Sequence, residues 1–251
     1  MRVFLRCRGN RGIDDEKNNG INFKVAIDKQ VKKKVIEDWL NAFPQLSYYA
    51  QNKLYKVAGG VVLGLELIKL PFTEEYRPHF VAYPLWRKDV KTCLDYPFIL
   101  KEYYNKKRLQ YSIPYGKHDA FFDNVVDSVK TQTPLSFDSD ISLKKITSTI
   151  DEYSKTSPLS AAPNSYLQAA LQESKLKIAL FLGATEAQKI LEQIIKRNWD
   201  INHFKAFGVD VIEWLDSLQT TIINRDAFLM QIEANTRDGK ISKLKKSELI
   251  S

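Results

Sequence analysis

Hydrophobic and polar residues alternate at the start of the chain, as they do in a β-strand that buries one of its two faces. Two alternating segments flank a stretch rich in Gly and Asn, which predicts two strands joined by a long exposed loop. A more continuous apolar run at residues 57–72 is rich in Gly and β-branched residues and favours a buried central strand. The predicted strands, including a returning strand and one further candidate, are residues 1–8, 21–27, 60–70, 79–86 and 109–113.

Elsewhere apolar residues recur with the 3.6-residue period of an amphipathic helix. A stripe between Val31 and Phe43 predicts an early helix with Asp28 as its N-cap. In the second half of the chain only the helical period remains, and Asp210 with Glu213 has the spacing of a capping box. The predicted later helices are residues 121–129, 143–153, 164–182, 185–198, 209–223 and 225–237.

The change of period indicates how the chain is organised. Residues 154–163, SKTSPLSAAP, have the composition of a linker. We therefore predict a basic, Tyr-rich α+β domain at 1–153 and a helical bundle of helix-hairpin pairs at 164–251. The fold class is α+β, with an N-terminal mixed or antiparallel sheet, flanking helices and a C-terminal bundle docked on the sheet. The last segment, from Arg237, is basic and poor in apolar residues, and we expect it to fray.

Composition places the chain among ordinary globular proteins, since 44% of its 251 residues are hydrophobic and 27% are charged. The net charge of +8 is unevenly distributed. Residues 1–118 contain 22 basic and 12 acidic side chains, whereas residues 119–251 contain 16 and 18. A basic N-terminal half favours an acidic protein or another polyanion as partner.

Metal, cofactor and membrane chemistry find little support in the sequence. Cys7, Cys93 and the three histidines have none of the spacings of a zinc site, so we predict no metal and no cofactor. The first residues lack the apolar core of a secretory signal, and no apolar run is long enough to span a membrane. We expect a cytoplasmic protein without a membrane partner. Cys93 follows a basic stretch that could lower the pKa of its thiol, although a lone cysteine is more often a small hydrophobic residue. His79 lies in an apolar setting typical of the core.

One segment could support catalysis or anion binding. His118, Asp119 and Asp123 are the catalytic candidates, because a histidine oriented by a carboxylate is a common acid–base arrangement. Gly116 and Lys117 precede a predicted helix, whose N-terminus could hold an anion. The alternatives are a turn with a capping aspartate and an acidic, solvated helix face.

A basic and aromatic segment at residues 101–117 is the strongest candidate for binding. Interleaved basic and tyrosine side chains occur both in protein interfaces and in proteins that stack single-stranded nucleic acid. The candidate partner-binding residues are Lys101, Tyr103, Tyr104, Lys106, Lys107, Arg108, Tyr111, Tyr115 and Lys117.

Three functions follow from these features. The first is a non-enzymatic protein-binding protein, of the kind represented by bacterial immunity and antitoxin proteins, that neutralises or regulates a protein partner with an acidic surface. The second is a nucleic-acid-binding protein that uses residues 101–117. The third is an enzyme with its site around His118.

Overall fold

The computed structural model describes residues 28–251. The strands predicted at residues 1–8 and 21–27, and Cys7, lie outside the described residues. The described α-helices are α1 (Lys29–Ala42), α2 (Val90–Cys93), α3 (His118–Gln132), α4 (Leu143–Ser154), α5 (Tyr166–Leu182), α6 (Ala184–Ile195), α7 (Ile201–Ala206), α8 (Val211–Ile223) and α9 (Arg225–Thr236). The described strands are β1 (Ser47–Ala50), β2 (Lys53–Ala58), β3 (Val61–Lys69), β4 (Glu75–Pro84), β5 (Ile99–Glu102), β6 (Ile113–Pro114), β7 (Ile141–Ser142), β8 (Lys245–Ser247) and β9 (Leu249–Ile250).

The main sheet runs in the order β1-β2-β3-β4-β5, and these five strands are antiparallel to their neighbours. Strand β6 pairs with β4, and β8 joins β2 in parallel. The apolar run at 57–72 is divided between β2 and β3 by a turn at Gly59, whose φ of +54° favours glycine. A Cβ atom at Gly59 would lie 2.8 Å from Cβ of Leu249, so the close approach of the C-terminal segment also requires glycine there.

The predicted α+β fold is confirmed, with a largely antiparallel sheet followed by helices. The central strand expected at 60–70 is β3, and the returning strand is β4, which begins earlier than expected. Of the candidate strand at 109–113, only Ile113 pairs as part of a strand. Asp28 caps α1 as predicted, because its side chain accepts a hydrogen bond from the backbone N–H of Gln30 at 2.9 Å.

The C-terminal segment does not fray, which corrects the sequence expectation. Residues 245–247 form β8 in the main sheet, and β9 pairs in parallel with β7. Of the four large apolar residues of this segment, Ile241, Leu244 and Leu249 are buried and Ile250 is exposed. Backbone pairing and these three side chains therefore hold a segment whose other side chains are mostly polar.

Both faces of the sheet are covered by helices. On the first face, Leu63, Leu65 and Leu67 of β3 pack with side chains of α1, α3 and α4. On the second face, residues of β2, β3 and β4 pack with α6, α8 and α9. Helix α5 contributes to both clusters, since Ile178 lies in the first and Leu176 in the second.

Residues 154–163, the predicted linker, form turns and a short 3₁₀ helix at Leu159–Ala161. The buried side chain of Gln168 holds this segment by donating to the carbonyl oxygens of Ser154 and Leu159, at 2.7 and 3.0 Å. Residues from both predicted domains share one sheet through β8. The division into domains stays a prediction about independent folding. From residue 28 to residue 251, no helix has the length and apolar character needed to cross a membrane.

Candidate functional site

The candidate binding segment leaves the sheet at its edge strand, β5. Tyr104 forms an isolated antiparallel bridge with Gln110, and the chain between them makes a tight loop. We call residues 105–109 the basic loop, because Lys106, Lys107 and Arg108 lie at its centre.

Asn105 fixes the conformation of the basic loop. Its side-chain Oδ1 accepts hydrogen bonds from the backbone N–H groups of Lys107 and Leu109, at 2.9 and 3.1 Å. Its own N–H donates to the carbonyl oxygen of Leu109, and its carbonyl oxygen accepts from the N–H of Arg108, both at 2.9 Å. Arg108 adopts a left-handed φ of 59° inside this turn. The loop is therefore ordered by its own hydrogen bonds before any partner is bound.

The basic loop exposes its charged side chains to solvent. Lys106, Lys107 and Arg108 are exposed, and none of them forms an ion pair with another described residue. Leu109 is 60% exposed and Tyr104 is 41% exposed. The basic loop therefore exposes three cationic side chains next to Leu109 and Tyr104, two side chains large enough to provide contact area in an interface.

Two of the predicted partner-binding tyrosines lie in the core instead. Tyr103 is fully buried, with its hydroxyl 2.9 Å from the hydroxyl of Thr133, and Tyr115 is 3% exposed. Burial raises the pKa of both phenols. Because their rings pack in the first cluster, these tyrosines support the sheet and leave no face for a partner.

The remaining predicted residues flank the loop. Lys101 is partly buried, its Nζ donates to the carbonyl oxygen of Gln132 at 2.9 Å, and burial lowers its pKa. Tyr111 is half-buried, with its hydroxyl 2.7 Å from Ser128 Oγ. Lys117 is exposed just before α3. Of these three side chains, Lys101 and Lys117 are basic, and only Lys117 is exposed.

The sheet edge next to the loop is closed by side chains. The Tyr153 hydroxyl donates to the carbonyl oxygen of Leu100 at 3.1 Å. The amide of Gln132 pairs with the N–H and carbonyl of Tyr104, at 3.1 and 2.7 Å, as a neighbouring strand would. A groove of about 1260 Å³ runs along this edge, and Lys101 and Tyr104 line it. Because these edge groups already have partners, the edge is protected from further strand pairing there.

His118, the catalytic candidate, belongs to a buried chain of hydrogen bonds. Trp39 Nε1 donates to the Tyr76 hydroxyl at 3.1 Å. His118 Nε2 lies 3.2 Å from Asp38 Oδ2, and because a carboxylate can only accept, Nε2 carries the proton of a neutral His118. Nδ1 therefore accepts, and the Tyr76 hydroxyl donates to it at 2.7 Å. Burial lowers the pKa of His118 and favours this neutral tautomer.

These surroundings are typical of a histidine that stabilises the fold. It is 3% exposed, and both of its ring nitrogens have protein partners. Asp123 is exposed and does not join the group, while Asp38 does, which sequence reasoning missed. Asp38 comes from α1, 80 residues earlier, and no local spacing signals the contact.

Three possible metal ligands meet here, since ligand atoms of Asp38, His118 and Asp119 lie within 4.8 Å of one another. The ammonium group of Lys34 already bridges the two carboxylates. The hydrogen bond to Asp119 raises the pKa of Lys34 and lowers that of Asp119. His118 presents an N–H to this group instead of a lone pair. Among the described residues, Asp38, His118 and Asp119 therefore suit the ammonium group of a lysine better than a metal ion.

The structure also tests predictions about two other single residues, His79 and Cys93. His79 is buried as predicted, with Nδ1 3.2 Å from the carbonyl oxygen of Arg77, and burial lowers its pKa. Cys93 corrects the expectation of a lowered thiol pKa. Its side chain is fully buried, and burial raises the pKa of the thiol despite the basic sequence before it.

Comparison with known proteins leaves the function to be argued from these sites. No model of a protein family matches the chain, and no curated protein or solved structure matches it either.

Proposed function

We propose that the chain is a non-enzymatic binding protein that recognises an acidic surface of a protein partner through the basic loop and Tyr104. The observation that carries this proposal is the ordering of the loop by Asn105 while its three cations have no ion-pair partner among residues 28–251. A loop that is ordered before binding loses less conformational entropy when the complex forms. The uncommitted charges would also steer an acidic partner toward this surface.

The exposed apolar groups favour a protein over a nucleic acid. Base stacking needs exposed aromatic faces, and the rings of Tyr103 and Tyr115 are buried. Leu109 is the most exposed large apolar side chain of the segment, and an aliphatic group suits a pocket on a protein better than a base. The catalytic alternative gains no support from His118, because its nitrogens already have partners.

A finer form of the proposal follows from the sequence analysis. The partner would be an enzyme or toxin that the chain neutralises in the cytoplasm of a bacterium, as immunity and antitoxin proteins do. In that form, the wild-type chain inhibits its partner when the two are mixed in equal amounts, and a loop variant does not.

The test reverses the charges of the basic loop. The triple variant Lys106→Glu, Lys107→Glu, Arg108→Glu is compared with the control Lys144→Glu, Lys196→Glu, Lys205→Glu, which changes the net charge equally at exposed positions elsewhere. Each tagged protein is incubated with nuclease-treated extract of the native host at moderate salt, and the retained proteins are identified and quantified. We expect one stoichiometric acidic protein to be retained by the wild type and the control, and retention by the loop variant to fall at least about tenfold, a change of roughly 1.4 kcal/mol.

Two results would contradict the proposal. Equal retention by the loop variant would show that this surface is not used. Loss of all bound material after nuclease treatment would favour the nucleic-acid alternative instead.

A further inference from the structure

A second group of basic side chains converges on one concavity, far from the basic loop in the sequence. Lys53 lies at the start of β2, Lys91 in α2, and Lys240 and Lys243 in the segment after α9. Together with Tyr49 they line a depression of about 740 Å³. Its volume is within the range of small-molecule sites, roughly 300–1000 Å³. We call this depression the lysine concavity.

Three of these four lysines have no ion-pair partner among the described residues. Lys53 forms an ion pair with Glu66 at 3.1 Å. Lys91, Lys240 and Lys243 form no ion pair within residues 28–251, although Nζ of Lys240 lies 5.7 Å from the ring centroid of Tyr49. These ammonium groups make the surface locally positive, which favours the binding of an anion.

Two carboxylates also line the concavity and limit what can bind. Asp238 has a structural role, because its Oδ1 accepts a hydrogen bond from the backbone N–H of Lys240 at 3.0 Å. Asp95 is exposed and has no ion-pair partner within the described chain. The four lysines outnumber the two carboxylates, so the surface stays net positive and its attraction for an anion grows with the charge of that anion.

The walls of the concavity are fixed to one another. Asn235 of α9 donates to the carbonyl oxygens of Leu85 and Arg87, at 2.8 and 2.7 Å, just before α2. On the other side, the N–H of Lys245 donates to Ser47 Oγ at 3.0 Å, which ties the C-terminal segment to β1. The backbone segments that carry these lysines are therefore brought together by the fold and need no ligand to do so.

We propose that the lysine concavity binds a small oligophosphate anion. Lysine binds phosphate as a point charge with three rotatable donors, so separate lysines on different walls suit a ligand with several phosphate groups. The partly apolar wall formed by Val90, Leu94 and the Tyr49 ring leaves room for a non-phosphate part of the natural ligand. This inference does not depend on the basic loop, because the two surfaces share no residue.

The probe is inorganic tripolyphosphate, titrated into the full chain by calorimetry at low ionic strength. The variant Lys91→Ala, Lys243→Ala is compared with the control Lys144→Ala, Lys196→Ala, which removes two exposed lysines that do not line the concavity. We expect binding at least tenfold weaker in the first variant and less than twofold weaker in the control. Asp95→Asn, which removes a negative charge from the rim, is expected to tighten binding by about threefold.

Thermal unfolding of each variant verifies that the fold is retained. The proposal is overturned if tripolyphosphate gives no saturable binding to the wild type at millimolar concentration. It is equally overturned if the two double variants lose affinity by the same factor, since that would indicate attraction to the net charge of the protein alone. Asp95→Asn provides a test that does not remove any lysine, and unchanged or weaker binding in this variant would count against the site.

Discussion

His118 illustrates how one buried polar residue is determined by its neighbours. The indole of Trp39 can only donate and the carboxylate of Asp38 can only accept, so the hydrogen bonds between them have one direction when His118 is neutral. The imidazole donates from Nε2 to Asp38 at the surface and accepts at Nδ1 from the Tyr76 hydroxyl. A chain of this kind satisfies each buried polar atom, which is the condition under which such atoms do not destabilise a core.

This arrangement predicts a loss of stability in mild acid. Burial lowers the pKa of folded His118 below its ordinary value of about 6.5, so the unfolded chain takes up a proton first as the pH falls. The neutral imidazole therefore makes its full contribution to the free energy of unfolding above about pH 6.5, and this contribution declines as the pH falls below that value. His79, whose pKa is also lowered by burial, acts in the same direction.

The measurement is the midpoint of thermal unfolding, Tm, between pH 7.5 and pH 5. In His118→Gln we expect Tm to fall less over this range than in the wild type, because one titrating group is absent. Lys117→Gln, a change at the exposed neighbouring residue, is the control. The same pH dependence in His118→Gln and the wild type would contradict the assignment.

The partners of His118 also show what the sequence could and could not predict. It identified His118 as a residue with polar neighbours, and it proposed Asp119 and Asp123, which lie nearby in the same helix. Spacing within a helix reports which residues share a face, but not which other helix packs against that face. Tyr103 was misplaced for a related reason, since a tyrosine fits both a surface and a core that offers its hydroxyl a partner.

At the scale of elements, the basic loop owes its shape to one side chain. The Asn105 carboxamide bonds two backbone N–H groups that would otherwise face only water. The same chemistry occurs at a helix N-cap, where a short polar side chain accepts hydrogen bonds from backbone N–H groups that have no backbone acceptor.

Replacing Asn105 should loosen the loop without unfolding the protein. We expect Asn105→Ala to accelerate amide hydrogen exchange at Lys107 and Leu109 by about tenfold, the equivalent of one lost hydrogen bond of roughly 1 kcal/mol. Asn105→Asp retains an acceptor at the same position and should exchange nearly as the wild type does. Exchange measured by NMR at these two amides distinguishes the variants, and equal protection in Asn105→Ala would mean that the loop is held by other contacts.

Elements differ in how well local sequence predicts them. Four helices of the second half, α5, α6, α8 and α9, were predicted closely because their apolar stripes are local, whereas the six-residue helix α7 was not predicted. Asp210 caps α8 as its spacing predicted, since it accepts from the N–H groups of Ile212 and Glu213. Strand β8 was missed, because its three residues contain no apolar side chain and its stability comes from pairing with β2, nearly 190 residues earlier in the chain. The same holds for the concavity lined by Lys240 and Lys243, which exists only after β8 has docked.

At the scale of the whole molecule, the C-terminal segment links the two faces of the sheet. Leu249 of β9 is buried in the first cluster, whereas Leu244, five residues earlier, is buried in the second. Helix α5 belongs to both clusters in the same way. The helices of the second half therefore share their buried surface with the sheet, which couples the two halves energetically.

We therefore predict that the chain unfolds in one transition, and that a change at Leu249 destabilises all of it. Leu249→Ala removes a side chain that is 5% exposed, and the loss of about 2–5 kcal/mol expected for such a core truncation should lower Tm by roughly 5–15 °C. Ile250→Ala changes the next residue of the same strand, which is 46% exposed, and should lower Tm by only a degree or two, roughly the effect of a surface substitution.

Differential scanning calorimetry measures both effects, and a single peak with equal calorimetric and van't Hoff enthalpies is the result expected for coupled halves. Two peaks, only one of which moves in Leu249→Ala, would show that residues 1–153 and 164–251 fold as separate domains. In that case β8 and β9 would be a docking contact between domains, and the lysine concavity would open when they separate. A single peak that shifts as a whole means that the concavity is as stable as the sheet on which it is built, since its lysines are then held by the global fold.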